Sequence, residues 1–313
     1  MKAKINKQIE LVQILLYLAE EQEKTVQCLN NKIYLKNIFN WFNTYRGHSA
    51  VQITKKLITE NYFFHIRPLK AILNLENILK DDSHELHIWA TETEQFVKES
   101  DFDNFFRSQN AYYESILKNI NSCDFDTWIS YIENYFKSNP DEFHLIICPI
   151  AGNYGFSVVQ GEKKIAYTVR CMPYYDENGN PSWEFDFFAK GIAHEYAHCF
   201  VNPIVEECKK LLKNHTHFFE VHKNMPKSYN VDYAVINEYF VRAFQIRFME
   251  ENHALFPKFD IPAEYVRQRE SFIFIDYFVD MLKVFENSDK TFLEFYTQNI
   301  EKLLTPKYKG NTA

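Results

Sequence analysis

Apolar residues recur every three to four positions through the first 139 residues, and little interrupts them. Near the start, Leu11, Ile14, Leu15 and Leu18 fall on one helical face. Before Pro140 the breakers are Gly47 and Pro68. The pattern predicts consecutive helices over 5–22, 32–45, 68–80, 84–98 and 125–137. His84, His87 and Trp89 form no motif and read as packing or surface positions.

The period changes after Pro140. FHLIICPI (143–150) is a short apolar run with β-branched residues, and YGFSVVQ (154–160) and KKIAYTVR (163–170) follow it. Gly161-Glu162 joins the last two, and a two-residue link beginning with glycine suits a type II′ hairpin. A small antiparallel sheet is expected here, then a loop rich in turn formers, YYDENGNPS. Helical periodicity returns with GIAHEYAHCF. That helix is expected to end at Asn202-Pro203, because proline cannot continue the hydrogen-bond ladder. Helices over 201–213 and 233–250 and two more within 263–304 complete the chain. The order predicts an α+β, mainly helical fold, with an N-terminal helical region (1–139) and a second region (140–313) carrying sheet, motif helix and C-terminal helices.

Composition narrows the function. The chain has 313 residues, 46% hydrophobic and 25% charged, which is globular rather than disordered. Aromatic residues make up 17%, so ring packing must fill much of the core. A formal net charge of -7 argues against nucleic acid as a partner, since phosphate contacts need clustered lysine and arginine. No segment approaches the roughly 20 apolar residues of a membrane span. The opening LVQILLYLA is broken by Gln13 and followed by Glu20, Glu21 and Glu23, unlike a signal peptide, so a cytoplasmic location is expected. The six cysteines make no CxxC pair and read as free thiols; Cys199 in particular reads as packing.

The chemistry concentrates in HEYAH. His194 and His198 stand four residues apart, so on a helix they share a face with Cβ atoms about 5–6 Å apart. Two imidazoles so placed can both reach one zinc ion at about 2.0–2.1 Å. Glu195 sits beside the first ligand, suited to act as general base toward a water on the metal. Such a site hydrolyses an amide: the base takes a proton during attack and returns it to the leaving amine. A chance histidine pair on a helix is the bland alternative.

A third ligand must come from elsewhere. In the HExxHxxGxxH pattern the glycine position here is Val201 and the last histidine position Ile204, so that pattern fails. The remaining candidates are later glutamates. Glu206 and Glu207 follow His198 too closely for the chain to turn back. Glu220 lies in HTHFFEVH, and Glu238 lies in VDYAVINEYFVRAFQIRF, a strong helical pattern that would carry a carboxylate toward the core. A buried carboxylate needs a metal or cationic partner, which favours Glu238; an ion pair with Arg242 one turn on is the simpler alternative.

HEYAHCFVNP followed by NEYFVRA resembles the gluzincin-type metallopeptidases. It is more closely similar to an uncharacterised bacterial family of zincin-like proteins with an HE-aromatic-x-H-x-F-x-N-P pattern and a distal NE-x-x-x-R-A. The residues that carry the resemblance are His194, Glu195, Tyr196, His198, Phe200, Asn202 and Pro203, then Asn237, Glu238, Arg242 and Ala243. It implies a zincin-like core, one zinc ion held by His194, His198 and Glu238, and Glu195 as catalytic base. The familiar gluzincin pattern has an aspartate four residues after the ligand glutamate, where it orients a histidine. Arg242 stands there instead and cannot accept a hydrogen bond from an imidazole, so another group must orient the ligands. Arg242 is left to hold a carboxylate or the substrate.

The remaining parts of a peptidase site are less marked. His217 and Tyr233, between the two motifs, are candidates to stabilise the oxyanion. Gly152, Asn153 and Tyr154 precede the hairpin and are candidates to bind a peptide added along a sheet edge. Asn202 reads as a helix cap. The leading expectation is therefore a zinc peptidase acting on a peptide or protein; the alternative is an inactive zinc-binding relative that recognises a peptide or protein partner.

Overall fold

A computed structural model describes residues 2–19, 31–60, 66–73, 84–150, 152–172, 174–176, 181–182, 184–213, 215–222 and 232–305. The protein is α+β and mainly helical, as the periodicity indicates. By contacts it divides into two compact units, 1–127 with 140–185, and 128–139 with 186–313. The sequence reading placed a boundary at Pro140; the strands after it cluster with the N-terminal helices.

In the first unit α1 (Lys7–Ala19), α2 (Lys32–Phe42), α3 (Ser49–Glu60), α4 (Ile66–Leu73), α5 (His84–Glu99), α6 (Phe102–Ser108) and α7 (Asn110–Ile120) share a core with the sheet. Helices α3, α6 and α7 are absent from the sequence expectation. Helix α3 (SAVQITKKLITE) carries β-branched residues that weaken a helical reading. Burial of Ala50, Val51, Thr54 and Leu57 along one face decides it. The Thr54 hydroxyl also accepts the Trp89 indole N–H at 2.9 Å, fixing α5 on α3. The proposed helix over 68–80 is found as α4; 74–80 lie outside the described residues.

Helix α1 departs from its amphipathic reading. Ile9, Val12 and Leu16 are buried as well as the expected stripe, because α3 and α4 pack against it. Its polar residues Glu10 and Gln13 are therefore internal. Glu10 is fully buried, accepting the Tyr34 hydroxyl at 2.5 Å and the Cys148 thiol at 3.0 Å. Tyr34 in turn meets the Tyr113 hydroxyl at 2.6 Å. Burial pushes the Glu10 carboxyl up to about 7, against the opposing effect of those two hydrogen bonds.

A carboxyl raised on folding stabilises the fold below its unfolded value near 4.5, and that stabilisation is lost as pH rises through about 7. The loss is about 3 kcal/mol, at 1.36 kcal/mol per unit of pKa. Glu10→Gln keeps the shape without the ionisation. Denaturant titrations at pH 5 and pH 8 are expected to show a smaller drop in stability for the variant. Equal drops in the two proteins would refute the assignment.

The strands are β1 (Glu142–Ile147), β2 (Tyr154–Gln160) and β3 (Lys163–Arg170), in the order β1-β3-β2. The hairpin is antiparallel as expected, with Gln160 opposite Lys163 and Gly161 at φ 63 in the turn, where glycine has no Cβ to clash. The strand β1 runs parallel to β3, so the sheet is mixed rather than wholly antiparallel. Parallel pairing leaves Leu145, Ile146 and Ile147 fully buried, consistent with an unbroken apolar run. A short ladder of β4 (Tyr174–Tyr175) and β5 (Pro181–Ser182) follows.

Most of α8 (Phe125–Phe136) belongs to the second unit. With it are α9 (Phe185–Glu207, from Asp186 on), α10 (Thr216–Glu220), α11 (Asp232–Glu251), α12 (Ile261–Arg269), α13 (Ile275–Glu286) and α14 (Phe292–Leu303). Its core is largely aromatic, as composition implied. Phe136 stacks on Phe200 at 4.9 Å, and Tyr239 on Phe278 at 4.4 Å. Tyr196 donates to Glu133 at 2.7 Å, tying α9 to α8. The Arg247 guanidinium meets Glu250, Glu251 and Glu286 and joins α11 to α13.

Two boundaries need correction. The tail holds three helices where two were expected. The motif helix α9 does not stop at Asn202-Pro203 but continues to Glu207, so the separate helix expected over 201–213 is its last turns and a 3-10 turn at Lys209–Leu212. Proline removes one ladder bond, yet Pro203 lies on the exposed side while Val201 and Val205 are buried on either side of it, and their packing carries the helix through.

Candidate metal centre

Helix α9 presents two faces. Tyr196 and Phe200 are set into the core. His194 and His198, on the other side of the helix, have ring centres 5.0 Å apart and planes at 82°. The motif's helical spacing is thus realised. His194, Glu195 and His198 bring ligand-type atoms within 4.8 Å of one another, a cluster able to hold a metal ion.

Helix α11 supplies a third group. Glu238 Oε1 lies 3.4 Å from His198 Nε2, and Glu238 Oε2 lies 3.8 Å from His194 Nε2. Ligand atoms arranged tetrahedrally at about 2.0–2.1 Å from zinc stand about 3.4 Å apart, and Glu238 approaches each imidazole to about that separation, through a different carboxylate oxygen for each. Glu220, the alternative, is exposed at the end of α10.

The electrostatics agree with the geometry. Burial acts to raise the Glu238 carboxyl, but the Arg242 charge and the two histidines outweigh it and hold the group well below the usual carboxylate range. Burial also opposes a charged His198, yet Glu238, Glu195 and Asn202 outweigh burial and raise its proton affinity. The pocket therefore draws positive charge to the point between these groups, which a divalent cation would supply.

Asn202 is not a cap. Its Oδ1 lies 3.0 Å from His198 Nδ1, so that nitrogen carries a hydrogen and Nε2 is the nitrogen turned toward Glu238. A group that orients His198 is thus on the motif helix itself, four residues on. The i,i+4 spacing from His198 was visible in the sequence; the adjacent proline suggested a cap instead.

Arg242 holds Glu238, the carboxylate alternative of the sequence reading: Nε donates to Glu238 Oε2 at 2.8 Å and Nη1 to Gln268 Oε1 at 3.0 Å. Its guanidinium lies 4.5 Å from the centre of the Phe272 ring. Tyr233 is half-buried in the first turn of α11, and His217 is exposed on α10. Gly152, Asn153 and Tyr154 belong to the first unit, where Asn153 Oδ1 accepts the Cys171 N–H at 3.2 Å and Tyr154 begins β2, an outer strand of the sheet. Cys199 is buried packing, and the described cysteines (Cys123, Cys148, Cys171, Cys199 and Cys208) are free thiols. Among the described residues no helix is long and apolar enough to cross a membrane.

Fold and site together define a mainly helical α+β protein with an HExxH cluster suited to a metal ion. The family described as Domain of unknown function (DUF4932) matches residues 69–302, more than half of the chain, and the protein belongs to that family. No curated protein and no solved structure matched it.

Proposed function

We propose that the protein is a zinc-dependent peptidase in which His194, His198 and Glu238 hold one zinc ion and Glu195 is the general base. The observation that carries this reading is the meeting of Glu238 with both motif imidazoles, at 3.8 and 3.4 Å, from a helix that begins after residue 230. Two imidazoles and one carboxylate are a ligand set that leaves a zinc position open for catalysis. Zinc, when bound, lowers the pKa of water toward about 7 and polarises a carbonyl.

The chain's own groups do the rest. Asn202 fixes the His198 tautomer. Arg242 keeps Glu238 ionised. Glu195 is 7% exposed and adjacent to the first ligand, placed to take a proton from the attacking water and pass it to the leaving amine. Tyr233 and His217 are the candidates to stabilise the oxyanion.

Metal analysis of the purified chain is expected to give about one zinc per molecule. A mixed peptide library is expected to be cleaved, with cleavage abolished by a chelator and restored by zinc. A protein that takes up no zinc would sink the reading. One that binds zinc but cleaves nothing would favour an inactive peptide-binding relative.

A further inference from the structure

An arginine one turn after a carboxylate can engage both of its oxygens as a fork, the strongest form of the pair. At this site that would occupy the oxygen a metal needs. The observed contact is different. Arg242 Nε meets Glu238 Oε2 at 2.8 Å, while Oε1 faces His198 Nε2 at 3.4 Å. Arg242 Nη1, on the side of the guanidinium away from the Nε–H, is held by Gln268 Oε1 at 3.0 Å.

We propose that Gln268 is a positioning residue of the metal centre: it turns the Arg242 guanidinium so that Glu238 keeps Oε1 for a metal ion. This rests on the reading of Glu238 as a ligand.

Gln268 is itself held in one orientation. Its Nε2 donates to Glu264 Oε1 at 2.7 Å, so its carbonyl oxygen must face Arg242. Glu264 is fixed in turn by Gln245 Nε2 at 2.8 Å, by Lys190 Nζ at 3.3 Å and by Arg267. Gln268, Gln245 and Glu264 are 3%, 4% and 5% exposed. Buried polar side chains are costly unless each is satisfied, and an apolar seam would pack α11 against α12 without that demand. The path also closes on the motif helix, because Lys190 stands one turn before His194. A polar chain therefore runs from α9 through α12 and α11 to the ligand carboxylate, and its last link sets the angle of Arg242.

The test is zinc affinity of the full chain, measured by competition with a chelator, alongside the melting temperature of the metal-free protein. Gln268→Met preserves length and bulk but cannot accept from Arg242. It is expected to weaken zinc binding about 10–100-fold, the effect usual for groups that orient ligands. Gln245→Met removes one of the several partners of Glu264 and is expected to weaken zinc binding less than Gln268→Met does. The Arg242→Met/Gln268→Met double variant is expected to bind no more weakly than Arg242→Met alone, because Gln268 acts through Arg242.

Wild-type affinity in Gln268→Met overturns the proposal. So does an equal loss in Gln245→Met, or a double variant weakened by both factors, since each points to general packing. If Gln268→Met does not fold, Gln268→Ser, which leaves space for water, carries the same expectations. A wild-type chain that takes up no zinc overturns the function reading as well, whereas the other outcomes leave that reading intact.

Discussion

Glu195→Gln is expected to lower peptide hydrolysis by roughly 10²–10⁴-fold, the usual contribution of a general base, while zinc content stays at the wild-type level. The two properties separate because of where the residue sits. His194 and His198 share a helix face and meet Glu238 through Nε2, whereas Glu195 is the neighbour of a ligand rather than the group a helical turn away. Glutamine has the same shape and fits the same 7% exposed position, but its amide cannot take a proton from water. Unchanged hydrolysis in the variant would remove Glu195 from the mechanism. Loss of zinc along with activity would instead make Glu195 a ligand, a role its presence within 4.8 Å of the imidazoles makes worth testing.

Glu238→Ala has the second large effect, and it appears in two measurements. Zinc is expected to be lost, since two imidazoles alone remain from the set. Stability is also expected to fall, by about 3 kcal/mol, even without metal, because Arg242 loses the carboxylate its Nε faces at 2.8 Å. The Arg242 side chain is 21% exposed and stacks on Phe272, so it cannot escape fully to water. Glu220→Ala serves as the comparison. Its side chain is exposed on a five-residue helix, and both zinc content and melting temperature should match wild type. If Glu220→Ala loses the metal and Glu238→Ala keeps it, the ligand assignment is reversed.

These expectations differ in how far the sequence could reach them. The His194–His198 pair was legible because helical spacing is a local property: once GIAHEYAHCF is helical, the shared face follows. Glu238 was reachable as a preference, from a carboxylate in a strongly apolar helical stretch. Asn202 was misread because a following proline usually marks a helix end, and the burial of Val201 and Val205 that overrides it is not local. Arg242 was left between a carboxylate and the substrate because nothing in NEYFVRA says where its guanidinium turns; it meets Gln268, 26 residues on. Lys190, Glu264 and Gln268 carried no signal at all, since each is an ordinary polar residue until three helices bring them together.

The same division holds for the fold. Hydrophobic periodicity and turn chemistry determined that the chain is mainly helical with a small sheet, where the hairpin turns, and that an HExxH helix follows it. Tertiary packing decided that β1 joins in parallel, that α1 is buried beyond one face, that β-branched α3 is a helix, and that α9 runs through a proline. It also decided which glutamate faces the histidines. Short-range patterns report the free energy of a segment with its own neighbours in sequence. Enclosure, register and the direction of a charged side chain depend on groups tens of residues away, whose burial and hydrogen bonds outweigh the local preference only once the chain has folded.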